Sequence, residues 1–326
     1  MTTYAAPQHL RAVAQWHRPL VLMVVSMIGL VLVCAIGLVV DDRTVLGESV
    51  WLKPLKFGFA FAMYGTTLAW LLSLPHRGAK WTRRLGTVFA VTGFVDVGFI
   101  AVQAARGTFS HFNTSTDTFN SVGQIIFTSG VPGLFLANLL IAGILVWQKI
   151  ADRSLTRAIH AGLVLAVSGM ALGYLMGFQK GRTVLDAAGH DVELAAGHSV
   201  GTPIGGPGMP ITHWSTTGGD LRIPHFVGLH GIQVMLATAF ALAVLSSRVA
   251  WLRSDRTRAA LVGIVAVGYS SVLVLVTWQA LRGQALIHPD HVTVAAFATI
   301  LAGMAIATSA VLKPALMKAK GHPATL

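Results

Sequence analysis

Thirteen histidines stand against four tyrosines in this chain of 326 residues, and their placement is uneven. Eight of them, His111, His190, His198, His213, His225, His230, His288 and His291, fall at or beyond the same ends of the apolar segments traced below. Imidazole is the commonest nitrogen ligand of transition metals and an axial ligand of haem. Clustering on one side is therefore the pattern that a single cofactor site would produce. The densest stretch, GDLRIPHFVGLHGIQ, holds His225 and His230. Five residues apart on a helix, they point about 140° away from each other and cannot chelate one ion from one face. Two cofactor chemistries follow. A b-type haem would take His230 as its first axial ligand, with His225 and His111 lining the site, and Gly228 and Gly231 would let a flat macrocycle approach. A transition metal such as copper would use the shallower set His225, His213, His288 and His291, with Met209 as a soft ligand. The plainer alternative is a set of interfacial imidazoles bonded to water, headgroups and backbone, with no cofactor.

A second constellation is carboxylate-based. Asp96 lies near the middle of an apolar segment, Gln103 is seven residues on, and Arg106 ends the same helical stripe. An ionisable group at that depth faces a bundle interior or a water-filled cavity, and serves as proton carrier, cation ligand or partner of a buried base. Asn138 and the set Tyr269, Ser270, Ser271 are its expected polar neighbours. The alternative is a neutral, hydrogen-bonded structural aspartic acid. The end of this stripe recurs: Gln103-Ala-Ala-Arg106-Gly107 matches Gln279-Ala-Leu-Arg282-Gly283, and a histidine follows each, His111 and His288. The segment before each also rhymes, Pro54-Leu55-Lys56-Phe57 against Pro224-His225-Phe226. These matches predict a four-helix unit duplicated in parallel, over residues 19–147 and 158–313, with no second carboxylate to match Asp96. Two ordinary interfacial helix ends, with snorkelling arginine and a stopping glycine, are the other reading. In WLKPLKF, Lys53 and Lys56 either snorkel to phosphates or draw an anionic group inward, and Asp220 is spaced to pair with Arg222.

The elements that must position these residues follow from composition. The chain is 54% hydrophobic and only 11% charged, with a mean hydropathy of +0.68, against about 25% charged for a soluble domain. That excludes a soluble two-domain enzyme and predicts an all-α integral membrane protein. Eight apolar runs of about 20 residues, enough to cross a bilayer core, lie near 19–41, 56–74, 85–105, 124–147, 158–178, 224–246, 259–281 and 291–313. The first, preceded by Arg11 and Arg18, is too long for a cleavable signal and reads as a retained anchor. Sixteen of the 24 lysines and arginines fall on the side of the N-terminus, which predicts both termini in the cytoplasm of an inner-membrane protein. The net charge of +12 is thus a topogenic signal and not a nucleic-acid footprint.

The whole chain reads as a single polytopic domain with one long extracytoplasmic loop, 179–223, whose GTPIGGPGMP excludes a long regular element. Cys34 is the sole cysteine, so no intrachain disulfide forms. No phosphate-binding loop, HExxH or GxSxG string is present. The leading expectation is an extracytoplasmic histidine-lined site for haem or a metal, serving redox chemistry. A small-molecule or proton-coupled transporter built on Asp96 is the alternative, and a scaffold or assembly factor with no small-molecule site is the third. Beyond the lipid bilayer, the chain names neither a redox or small-molecule partner nor an oligomeric state.

Overall fold

The structure, a computed structural model, describes residues 15–320. Arg11 lies outside them. Eight helical spans among the described residues are long and apolar enough to cross a membrane. They are α1 (Arg18–Val40), α2 (Leu52–Ser73), α3 (Ala79–Ala105), α4 (Thr118–Leu145), α5 (Arg153–Gly173) with a tighter turn to Phe178, α6 (Arg222–Leu229) joined to α7 (Gly231–Leu245), α8 (Asp255–Leu281) and α9 (His291–Lys320). Their exposed faces carry large apolar residues such as Leu32, Ile125, Val164, Val267 and Ile306, consistent with association with a lipid bilayer.

Several helices run past the apolar stretches that announce them. α3 begins at Ala79 rather than near 85, α4 at Thr118 rather than 124, and α8 at Asp255 rather than 259. A first turn can be polar when its orphan N–H groups are capped. Asp117 accepts from the backbone N–H of Asn120 at 3.1 Å, Asp152 from that of Leu155 at 2.8 Å and Ser254 from that of Thr257 at 3.4 Å.

The chain divides into two compact units. Unit 1 runs to Leu145 and also takes Lys180–Gly197; unit 2 is Val146–Gln179 and the chain from His198 on. In unit 1, α1 packs on α2 and α3, α2 on α3, and α3 on α4; in unit 2, α5 packs on α6, α7 and α8, α8 on α6 and α7, and α9 on α8. Close helix approach in unit 2 depends on glycine. A Cβ on Gly169 of α5 would stand 2.1 Å from the backbone nitrogen of Leu229, and one on Gly228 would stand 2.5 Å from the Cα of Gly169.

The long loop is shared between the units. Its first half forms the antiparallel hairpin β3 (Arg182–Leu185) and β4 (Asp191–Leu194), with Arg182 opposite Leu194 and Leu185 opposite Asp191. Alternate residues Val184, Val192 and Leu194 turn inward against Leu46, Phe109 and Phe112. The backbone N–H of Ala187 in its turn donates to the Gly107 carbonyl at 2.9 Å. The second half forms the short pair β5 (Ser199–Val200) and β6 (Gly219–Asp220), which lies against the end of α8, with Gly201 beside Gly283.

Candidate functional site

Asp96 sits in α3 with 3% of its surface exposed, and neither carboxylate oxygen has a hydrogen-bond partner. Its immediate neighbour is Gly130 of α4, where a Cβ would stand 2.3 Å from Asp96 Oδ1; only glycine leaves room for the carboxyl. An ionised carboxylate placed there with no donor or cation would cost on the order of several kcal/mol. A proton or a cation must therefore accompany it in this arrangement. The neighbours expected from sequence are engaged elsewhere. Asn138 Oδ1 accepts from Tyr64 Oη at 2.8 Å, while Tyr269 of unit 2 donates to the Val227 carbonyl at 2.7 Å. Ser270 and Ser271 bond back to the carbonyls of Ala266 and Val267 in their own helix.

Gln103 and Arg106 do share a cluster, but Asp96 is not in it. Phe99, Ile100 and Phe127, with Phe57 and Val131 packed on them, fill the level between. Above that apolar layer, Gln103 Nε2 donates to Asn120 Oδ1 at 2.7 Å and to the Phe109 carbonyl at 3.2 Å. Arg106 donates to Gln103 Oε1 at 2.8 Å and pairs with Asp117 at 2.9 Å. Gly107, at φ +74°, ends α3, and the N–H of Thr108 returns to the Gln103 carbonyl at 3.0 Å, a Schellman closure that favours glycine. The end of α8 makes a matching set. Gln279 Nε2 donates to the Ala285 carbonyl at 2.9 Å and Arg282 pairs with Asp290 at 3.1 Å. Gly283 sits at φ +73°, and the N–H of Gln284 returns to the Gln279 carbonyl at 3.2 Å.

Each aspartate in these clamps also caps the next helix. The backbone N–H of Asn120, joined by Arg106, holds the Asp117 carboxyl below the usual carboxylate range. The backbone N–H and hydroxyl of Thr293, joined by Arg282, hold that of Asp290 down to about 2. Asn120, which knots the first clamp, went unmarked in the sequence. The signal was the recurrent D-x-x-[N/T] string, Asp117 to Asn120 and Asp290 to Thr293.

The histidines are divided between the two units. His111 belongs to unit 1, where its ring lies 4.6 Å from that of Phe127 and 5.6 Å from that of Phe57, with Nδ1 3.1 Å from Ser110 Oγ. His225 and His230 belong to unit 2. His288 and His291 are exposed. His213 sits in a left-handed turn at φ +55°, its carbonyl accepting from Arg222 at 2.5 Å. Among the described residues no group of three or more His, Cys, Asp or Glu side chains is placed to hold a metal ion.

The helix carrying His225 and His230 breaks at His230, so one uniform helix does not relate them. Gly228 and Gly231, expected to admit a macrocycle, are filled instead by Gly169 and Leu165 of α5. His225 Nδ1 stands 2.8 Å from the Gly169 carbonyl, which fixes the proton on Nδ1. His230 Nδ1 is buried without a hydrogen bond. Lys56 pairs with Glu48, and Arg222 grips Asp220 through Nε at 3.0 Å and Nη2 at 2.6 Å. No protein-family model, curated protein or solved structure matches this chain.

Proposed function

We propose that this chain is a multi-pass inner-membrane transporter of small molecules that exchanges protons through Asp96, with both termini in the cytoplasm. The observation that carries the reading is the Asp96 carboxyl, buried within a span and bonded to nothing. Structural polar groups in protein interiors are almost always hydrogen-bonded, whereas a carrier must be able to take and give up its charge partner. The two clamps further support a duplicated four-helix unit, since each has a glutamine donating to the carbonyl six residues on, an arginine–aspartate pair and a left-handed glycine: Gln103, Arg106, Asp117 and Gly107 in one, Gln279, Arg282, Asp290 and Gly283 in the other. Internal repeats of this kind are common in transporters.

The test is proton movement into liposomes that carry the purified protein and a trapped pH-sensitive dye. Flux is driven by a potassium and valinomycin potential, with amino acids and monocarboxylates added as trial solutes. Wild-type protein moves protons above the protein-free baseline and Asp96→Asn does not; equal flux in the two overturns the reading.

A second reading is a cofactor at His230, favoured by its buried, unbonded Nδ1 beside the tautomer-fixed His225. A haem b or a transition metal such as copper would there serve redox chemistry. Oxidised and dithionite-reduced spectra with elemental analysis decide it. A Soret band or stoichiometric metal lost in His230→Ala supports the cofactor, and a colourless, metal-free wild type contradicts it.

A further inference from the structure

Unit 1 contains further orphaned polar atoms below Asp96, and they fall at successive levels of the same bundle. Asn138 Nδ2 in α4, and His17 Nδ1 and Trp16 Nε1 at the start of α1, are buried without a hydrogen bond, as both Asp96 oxygens are. Buried polar groups that lack a protein partner are normally satisfied by ordered water. Tyr64 stacks on Phe89 with ring centroids 5.5 Å apart, and Phe89 lies seven residues before Asp96 on α3, roughly 10 Å along the axis at about 1.5 Å per residue. That is the span of three to four hydrogen bonds of about 2.8 Å, and so of two to three waters. His17 meets α3 just beyond, its Cε1 3.5 Å from a Cβ placed on Gly86 and its Nε2 3.3 Å from Thr87 Oγ1.

We propose that a file of water runs through unit 1 from Asp96, past Tyr64 and Asn138, to His17, and carries the Asp96 proton toward the N-terminal end of α1. This rests on the proton-exchange reading of Asp96. The chemistry of each group suits its place. Tyr64 Oη gives its hydrogen to Asn138 Oδ1 at 2.8 Å, which leaves the Oη lone pairs and the Asn138 Nδ2 hydrogens to hold one water from both sides. Thr87 Oγ1 gives its hydrogen to the Arg83 carbonyl at 3.1 Å. His17 must then donate from Nε2 to Thr87, and its buried Nδ1 carries the lone pair.

The transfer balances. The Asp96 O–H bond breaks as its proton passes to the first water, each water hands one proton on, and the last forms an N–H bond at His17 Nδ1. Asp96 is left as carboxylate and His17 as imidazolium, which gives its proton to bulk water. Burial, aided by the Arg83 charge, holds the His17 pKa below its ordinary value, so the imidazolium does not trap the proton. Tyr64 and Asn138 are positioning residues.

The experiment compares wild type with Tyr64→Phe, Asn138→Leu, His17→Gln and Asp96→Asn in the liposome assay. Deuterium exchange of the Asp96 carboxyl, followed by infrared spectroscopy, is the second measurement. Tyr64→Phe keeps the ring stack, so a purely structural role leaves both readouts unmoved. We expect Tyr64→Phe and His17→Gln each to slow flux by about tenfold or more and to slow exchange of a carboxyl band that is still present. Wild-type flux and exchange in both variants, with flux abolished in Asp96→Asn, overturn the water file alone. Unchanged flux in Asp96→Asn overturns the proton-exchange reading and the file with it.

Discussion

Two buried carboxylates in this protein are treated in opposite ways. Asp220 has no exposed surface, yet Arg222 grips both its oxygens, Ser215 donates a backbone N–H at 3.0 Å and His198 Nδ1 stands 3.5 Å away. Burial opposes its charge, but the bonds from His198 and Arg222 outweigh that and hold its carboxyl well below the usual range. Its folded pKa is therefore depressed. The stabilisation is fully present above the unfolded value of about 3.9 and is lost as the pH falls from there through the folded value. Asp220→Ala strands Arg222, and we expect a loss of about 3 kcal/mol at pH 7. The gap from wild type should narrow below about pH 4. Thermal unfolding in detergent at pH 7 and pH 3 checks this, and a gap independent of pH contradicts it. Asp96, by contrast, has no such partners. Its residue type and depth were legible in the sequence. Its isolation was not, because the partners of a buried side chain come from other helices and eight similar apolar runs do not encode which of them touch.

At the scale of elements, the spans and the Gln-Arg-Gly helix ends were readable, since apolar length and a stopping glycine act locally. The use of the helix glycines was not. Gly228 looked like space for a cofactor, but the structure spends it on α5, where Gly169 and Gly228 bring the two backbones together. Gly169→Ala should therefore cost about 1–3 kcal/mol through overpacking, with a matching fall in unfolding temperature. Gly143 of α4 has nothing within 4 Å of an added Cβ, so Gly143→Ala should be neutral or stabilise by up to about 1 kcal/mol through helix propensity. Equal effects from the two substitutions contradict this assignment of the close contact.

For the whole molecule, the long loop 179–223 is divided, one half on the end of α3 and the other on the end of α8. Its hairpin was hidden in the sequence because its four-residue strands are short and only half apolar. Each unit thus carries one clamp and one cover, while the unbonded carboxylate belongs to unit 1 and the imidazole of the broken span, with its unbonded Nδ1, to unit 2. The unbonded carboxyl of Asp96 is therefore the centre of the functional account. The most direct test is the potential-driven proton flux of wild type against Asp96→Asn, at equal protein content and with both confirmed as folded. Wild type should show flux above that of protein-free liposomes, and the variant the protein-free rate. Flux at the protein-free rate in wild type, or flux undiminished in Asp96→Asn, would contradict the proton-exchange reading of Asp96.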